Sequence, residues 1–107
     1  MALAALRPME LRERLVAGES LVLLDVREPD EHALGTLPGS VLLPLSELSL
    51  RVAELDPELP IVCICHHGVR SASVAQALER LGFDQVYNLV GGLDRWSREV
   101  DPAFPRY

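Results

Sequence analysis

The chain has 107 residues, of which 49% are hydrophobic, so one domain covering residues 1–107 has enough apolar side chains for a core. The net charge of −6 argues against the basic surface that sequence-independent nucleic-acid binding requires. All ten basic residues are arginine, which excludes Schiff-base chemistry on a lysine.

The first quarter of the chain predicts a helix followed by a strand. Pro8 suits the first turn of a helix that carries Leu11 and Leu15 on one face. Gly18 can end this helix because glycine adopts the left-handed conformation at little cost. The apolar run at residues 21–25 then predicts a buried strand.

The next elements are a short helix, a strand and a longer helix. A proline and two acids at residues 29–31 favour a helix N-terminus, and Gly35 can end that turn. Residues 40–43 predict the second strand. A helix then begins at Ser46, and its apolar residues recur in steps of three and four until Pro57 stops it.

The second half of the chain continues this alternation. Residues 61–64 form the most apolar strand, which we expect at the centre of the sheet. A helix over residues 71–81 carries an apolar stripe, and residues 85–89 predict the last strand. A glycine pair leads into a short helix with Trp96 as a core residue, before a proline-containing tail laid over the body. The stripe consists of Val74, Ala75, Leu78 and Leu81.

The alternation of strands and helices predicts an α/β fold with a parallel sheet. Such sheets bind ligands outside the carboxyl ends of their strands, so we expect chemistry just after one of them. The predicted strands end at Asp25, Leu43, Ile64 and Leu89. Only the segment after Ile64, Cys65-His-His-Gly-Val-Arg-Ser71, combines a nucleophile, a glycine and a cation before a helix.

Cys65 has the surroundings of an activated nucleophile. It precedes a helix whose unpaired N–H groups and positive dipole end stabilise a thiolate, the reactive form of cysteine. Gly68 allows the loop to curl so that its N–H groups converge into an anion-binding nest, and Arg70 adds positive charge at the rim. We therefore interpret Cys65 as catalytic rather than as a small buried hydrophobic residue.

The other ligand-type side chains near Cys65 leave more than one interpretation open. Cys63 lies inside the strand and is expected to be structural, although it could act as a resolving thiol. His66 and His67 could donate hydrogen bonds to the thiolate or the substrate, or lie exposed on the loop. A zinc site is not expected, because no second pair of ligands occurs elsewhere in the sequence.

Five motifs in order along the chain resemble those of the rhodanese family, and together they cover most of it. They are Leu24-Asp-Val-Arg-Glu-Pro-Asp-Glu-His32, Gly35-Thr-Leu-Pro-Gly-Ser40, Cys65-His-His-Gly-Val-Arg-Ser71, Gly91-Gly-Leu-Asp-Arg-Trp96 and Val100-Asp-Pro102. The resemblance implies a rhodanese-like α/β fold, in which helices flank both faces of a central, mostly parallel sheet. One departure is Thr36, where many relatives have histidine, and we expect it to alter only local hydrogen bonding.

The resemblance also implies a sulfurtransferase activity that uses no cofactor and no metal. Cys65 would take the outer sulfur of a donor such as thiosulfate as a persulfide and pass it to a thiol, cyanide or protein acceptor. Asp25 and Arg27 match an Asp-x-Arg signature and are expected to support the loop by ion pairing rather than to touch substrate. The active-site loop, which would bind the substrate, consists of His66, His67, Gly68, Val69, Arg70 and Ser71.

Three other functions compete with this one. Cdc25-like phosphatases share the fold, but they have five residues between cysteine and arginine, whereas four separate Cys65 from Arg70. A non-catalytic regulatory module is disfavoured because Cys65, Gly68 and Arg70 are all present. A persulfide relay that serves one dedicated partner protein, or a homodimer, remains compatible with the sequence.

The sequence indicates a soluble cytoplasmic protein that contacts no membrane and no nucleic acid. Cys63 and Cys65 are too close for an ordinary structural disulfide, and residues 1–7 lack the basic start of a signal peptide. The longest uncharged stretch, residues 33–46, is too short to span a bilayer and is broken by proline and glycine.

Overall fold

The computed structural model describes residues 4–107, in which five parallel strands form one sheet. The strand order is β1-β5-β4-β2-β3, so β4 lies at the centre, as predicted. The strands are β1 (Ala4–Leu6), β2 (Val22–Asp25), β3 (Val41–Leu42), β4 (Ile61–Ile64) and β5 (Val86–Leu89).

Within residues 4–107, five α-helices connect the strands and close the domain. They are α1 (Pro8–Val16), α2 (Pro29–Leu34), α3 (Leu48–Arg51), α4 (Val69–Arg80) and α5 (Gly92–Glu99). Two 3₁₀ turns, Leu45–Glu47 and Val52–Glu54, flank α3. None of the helices in residues 4–107 has the length and apolar character that crossing a membrane would require.

The sheet separates two apolar clusters, because successive residues of a strand point to opposite faces. On one face, Leu24 and Cys63 pack with residues of α4 such as Val74. On the other face, Val62 and Ile64 pack with residues of α1 and α5. Helices therefore cover both faces, and the predicted α/β fold is confirmed.

Some predicted elements differ from the observed ones in extent. β1 was not predicted, because it has only three residues and only Leu6 of these is buried. The helix expected from Ser46 is broken into α3 and its two 3₁₀ turns. Residues 40–43 supply only the two residues of β3, and α4 begins at Val69, two residues before the prediction.

The end of the apolar stripe on α4 was predicted incorrectly. Leu81 is 60% exposed, because α4 ends at Arg80 and the chain leaves the helical path at this residue. Phe83 takes the buried position instead, and its N–H donates to the Leu78 carbonyl at 3.1 Å. The other three residues of the stripe are buried, as expected.

The C-terminal tail lies over the body, as predicted. Phe104 is buried in the cluster that contains α1 and α5. The Tyr107 hydroxyl reaches Arg27 and Glu31, each at 2.9 Å. The Tyr107 ring also stacks on the ring of His66, in the loop that follows β4.

Candidate active site

Cys65 lies just beyond the carboxyl end of β4, where the loop leads into α4. Gly68 makes the turn before the helix with a φ of +90°, a conformation that favours glycine. A side chain on Gly68 would also crowd its neighbours, since a Cβ there would lie 3.0 Å from the Gly91 nitrogen. The turn that wraps the loop around Cys65 thus depends on glycine at this position.

Three polar groups contact the Cys65 sulfur. The Gly68 N–H donates to Sγ at 3.1 Å, and the Ser71 N–H donates to it at 3.4 Å. The Ser71 hydroxyl lies 3.3 Å from the same atom. Only 1% of Cys65 is exposed, so the sulfur is shielded from bulk solvent. The two N–H donors can stabilise a negative charge on this sulfur.

Two carbonyl groups of the loop are bound by the start of α5. The Leu93 and Asp94 N–H groups at the start of α5 donate to the carbonyls of Cys65 and His66, each at 2.9 Å. Because a trans peptide points its N–H opposite to its carbonyl, the following N–H groups turn away from α5. In the loop and the first turn of α4, the N–H groups of His66, His67, Val69 and Arg70 have no acceptor among residues 4–107. They remain free to bind an anion.

Asn88, in β5, belongs to the site although the sequence did not indicate it. Its Nδ2 donates to the Gly68 carbonyl at 3.1 Å, so its Oδ1 faces Ser71 and accepts the hydroxyl proton at 2.5 Å. The Ser71 oxygen can then accept the S–H of a protonated Cys65. Asn88 thereby binds both Gly68 and Ser71, the two residues whose groups contact the sulfur.

The strand-centre thiol of Cys63 has a different environment. Cys63 is fully buried, and this burial raises the pKa of its thiol to about 12. The thiol is therefore neutral near pH 7 and packs as a small apolar group in the core. A structural role, as expected from its place in the strand, fits these surroundings.

The two histidines of the loop do not hydrogen-bond to the Cys65 sulfur. The His66 ring stacks on the Tyr107 ring with centroids 3.9 Å apart. Desolvation lowers the pKa of His66, so its imidazole is neutral near pH 7. The His67 side chain is 64% exposed, and its Nδ1 lies 4.0 Å from a carboxylate oxygen of Asp94. Both histidines thus lie at the rim of the loop.

Arg70 contacts a carboxylate, which the sequence did not predict. Its Nη1 and Nη2 donate to the two carboxylate oxygens of Glu31 at 2.6 and 2.9 Å. This bidentate pair lowers the pKa of Glu31 to about 2 and raises the pKa of Arg70. The positive charge expected at the rim is therefore neutralised by a residue of α2.

Asp25 and Arg27 form a buried ion pair, as expected, and make no direct contact with Cys65. Arg27 Nε donates to Asp25 Oδ1 at 2.9 Å and Nη2 donates to Oδ2 at 2.8 Å. Burial raises the pKa of Asp25, but hydrogen bonds from Arg27 and His32 outweigh it and keep the pKa below its usual value. The pair holds the Tyr107 hydroxyl, which in turn contacts Glu31.

The remaining observations concern the Thr36 hydroxyl and the side chains that could bind a metal ion. The hydroxyl oxygen of Thr36 is buried and has no hydrogen-bond partner within the described residues, which fits a local change of hydrogen bonding at this position. No cluster of three or more His, Cys, Asp or Glu side chains in residues 4–107 is arranged to hold a metal ion.

Comparison with known proteins gives one consistent family. The profile of the Rhodanese-like domain matches residues 7–99. The Bacillus subtilis protein YtwF is 37% identical over 92 residues, which cover 86% of this chain and 88% of YtwF. Several other curated relatives are longer, and the chain spans 30%, 49% and 25% of the length of three of them.

Solved structures show the same similarity. A rhodanese-like domain protein from Staphylococcus aureus superposes with a TM-score of 0.85 at 26% identity, covering 98% of this chain and 99% of that one. The human single-domain sulfurtransferase TSTD1 superposes with a TM-score of 0.78 at 27% identity, covering 92% of this chain and 98% of that one.

Proposed function

Because the chain belongs to the Rhodanese-like domain family, we propose that it is a sulfurtransferase in which Cys65 carries one sulfur atom as a persulfide. One observation carries this proposal: the N–H groups of Gly68 and Ser71 both donate to the Cys65 sulfur. Donors fixed around a sulfur atom stabilise the thiolate that attacks and the persulfide anion that results.

The reaction has two steps at Cys65. The thiolate attacks the outer sulfur of a donor such as thiosulfate, a new S–S bond forms, and the donor S–S bond breaks. With thiosulfate, the electron pair of that bond leaves on sulfite. The outer sulfur of the Cys65 persulfide then passes to a thiol, cyanide or protein acceptor, and Cys65 returns as a thiolate.

The loop residues have separate roles in this proposal. The unoccupied N–H groups of His66, His67, Val69 and Arg70 would bind the terminal sulfur of the persulfide. The Ser71 N–H would donate to the sulfur, and the Ser71 hydroxyl oxygen, whose proton is held by Asn88, would accept the S–H of the protonated thiol. Asp25 and Arg27 would support the loop indirectly, through Tyr107 and Glu31.

We further propose that residues 1–107 work as one domain in the cytoplasm, where a carrier cysteine stays reduced. A dedicated protein acceptor, as in a sulfur relay, is compatible with this proposal, as is a homodimer. Neither nucleic acid nor a membrane is expected as a partner, in line with the net charge of −6.

A sulfur-transfer assay tests the proposed activity. With thiosulfate and cyanide, the protein should form thiocyanate, and Cys65→Ser should remove this activity because serine cannot carry sulfane sulfur. Cys63→Ala is the matched control and should keep most of the activity, because Cys63 is a buried neutral thiol. Equal activity in both variants would contradict the proposal. Rapid hydrolysis of an aryl phosphate would favour a phosphatase instead.

A further inference from the structure

The anion-binding edge of Arg70 is already occupied. Both of its terminal nitrogens donate to Glu31, in the two-pronged arrangement that arginine also makes with sulfonates and phosphates. The Glu31 side chain is only 17% exposed, whereas the Arg70 side chain is 36% exposed. A small anion that approaches Arg70 must therefore compete with a largely buried carboxylate.

Glu31 is held in this position by two further donors. The Glu28 N–H donates to its Oε1 at 3.1 Å, and the Tyr107 hydroxyl donates to its Oε2 at 2.9 Å. The direction of the second bond is fixed, because the Tyr107 oxygen also accepts from Arg27, which can only donate. Together with the two nitrogens of Arg70, four donors therefore bind the two carboxylate oxygens of Glu31.

Other cations near the loop are paired as well. The chain contains no lysine, Arg27 is buried against Asp25, and the two arginines of α5 pair with acids of their own helix. The exposed His67 lies near Asp94. Each of these groups faces a carboxylate, whereas Arg106 in the tail donates to the Ser97 carbonyl at 3.5 Å.

We propose that Glu31 is a specificity-determining residue, which occupies Arg70 and so directs the loop away from small dianionic donors toward sulfane sulfur on less charged groups. The preferred donor is then a persulfide, carried either by a small-molecule thiol or by a cysteine of a carrier protein. This inference rests on the proposed sulfur transfer through Cys65, and it names the class of donor that the site takes.

The transfer step is the same for both donor classes. A Cys65 thiolate and a persulfide anion react to give the Cys65 persulfide and the donor thiolate, with one S–S bond formed and one broken. The two donor classes differ in the charge that enters the loop. Thiosulfate brings two negative charges and releases sulfite. A thiosulfonate brings one negative charge, as a persulfide anion does, and releases a sulfinate.

Steady-state kinetics with thiosulfate and methanethiosulfonate test the inference. Glu31→Gln frees the Arg70 charge, so the KM of thiosulfate should fall about tenfold, with a smaller fall for methanethiosulfonate. Asp30→Asn is the matched control, because it removes the same charge one residue away in α2 from an exposed side chain. Its effect on either KM should stay below about twofold.

A second variant keeps the test valid if Glu31→Gln does not fold. Tyr107→Phe removes only the hydroxyl that holds Glu31, and it should lower the KM of thiosulfate about twofold to threefold. A KM of thiosulfate that neither Glu31→Gln nor Tyr107→Phe changes would overturn the inference. Equal changes for both donors, or an equal effect of Asp30→Asn, would overturn it too.

Failure of the inference and failure of the proposed function are distinguishable. If the unmodified protein takes up sulfur from methanethiosulfonate on Cys65 and the variants leave the KM of thiosulfate unchanged, only the role of Glu31 is wrong. If the unmodified protein takes up sulfur from neither donor, the proposed sulfur transfer itself is wrong.

Discussion

Cys63 and Cys65 are separated by one residue, yet their thiols have different surroundings. Cys63 is inside β4, where burial raises the pKa of its thiol to about 12. Cys65 is just past the end of the strand, where N–H groups of Gly68 and Ser71 point at its sulfur. The position of each cysteine relative to the strand end could be predicted from sequence, because the apolar run stops at Ile64.

Asn88 could not be assigned to the site in the same way. It is one polar residue in the short strand β5, and a single residue forms no pattern that a sequence window detects. Its role follows from the sheet register, which places it opposite Cys63 and close to Gly68 and Ser71. The bonds of Glu31 to Arg70 and to Tyr107 were missed for the same reason, since 39 and 76 residues separate the partners.

Replacing Asn88 should slow sulfur uptake. Asn88→Asp keeps the acceptor for Ser71 but loses the donor that holds the Gly68 carbonyl, and it adds a negative charge beside the sulfur. We expect the rate constant for persulfide formation at pH 7 to fall about tenfold or more. Single-turnover kinetics would measure it.

The control for this variant is Gln76→Glu, which adds the same charge on the exposed face of α4. It should leave the rate constant nearly unchanged. If Asn88→Asp reacts as fast as the unmodified protein, the proposed positioning role of Asn88 is wrong.

The secondary-structure elements were predictable where their patterns were long or strongly apolar. The apolar run at residues 61–64 predicted β4 with its observed bounds, and glycine and proline signals located both ends of α1 to within two residues. β1 is too short for any pattern, and it joins the sheet only by pairing with β5. The helix predicted from Ser46 is regular only over Leu48–Arg51, and 3₁₀ turns lie on either side of it.

The loop between β4 and α4 depends on glycine at residue 68. Gly68→Ala should destabilise the fold by about 2 kcal/mol or more, because alanine is strained at this φ and its Cβ would lie 3.1 Å from the Leu89 carbonyl oxygen. Gly18→Ala is the control, since Gly18 has a φ of +82° but no atom within 4 Å of a Cβ. It should cost about 1 kcal/mol.

Urea unfolding of the two variants measures this difference. If both substitutions lowered the free energy of unfolding equally, close packing of the loop against the start of α5 would not contribute to stability. A larger loss for Gly68→Ala is the expected result.

At the scale of the whole molecule, a chain of polar contacts joins distant parts of the sequence around the loop. It runs from Asp25 through Arg27 and Tyr107 to Glu31 and Arg70. These groups come from the end of β2, from α2, from α4 and from the tail. The tail could be predicted to lie over the body, but its contact with the loop depends on the tertiary structure.

This chain of contacts predicts a loss of stability in acid. The Arg70 hydrogen bonds lower the pKa of Glu31 to about 2 from its ordinary 4.5, so the ionised form is favoured in the folded state. Its contribution is therefore complete above pH 4.5 and is lost as the pH falls toward 2. Because Arg70 is partly exposed, we expect this contribution to be about 1 kcal/mol.

Thermal unfolding between pH 6 and pH 2 tests this prediction on the unmodified protein and Glu31→Gln. The unmodified protein should lose stability more steeply below pH 4.5, because only it has a carboxylate to protonate at this position. Parallel curves for the two proteins would show that the Glu31–Arg70 pair does not stabilise the fold.

Peptide mass spectrometry after incubation with a sulfane-sulfur donor tests the central claim most directly. The proposal predicts that the peptide containing Cys63 and Cys65 gains the mass of one sulfur atom, with fragment ions placing it on Cys65, and that cyanide removes it. The gain should persist in Cys63→Ala and be absent in Cys65→Ser. A sulfur adduct on Cys63 alone, or no adduct in the unmodified protein, would contradict the proposal that Cys65 is the sulfur carrier.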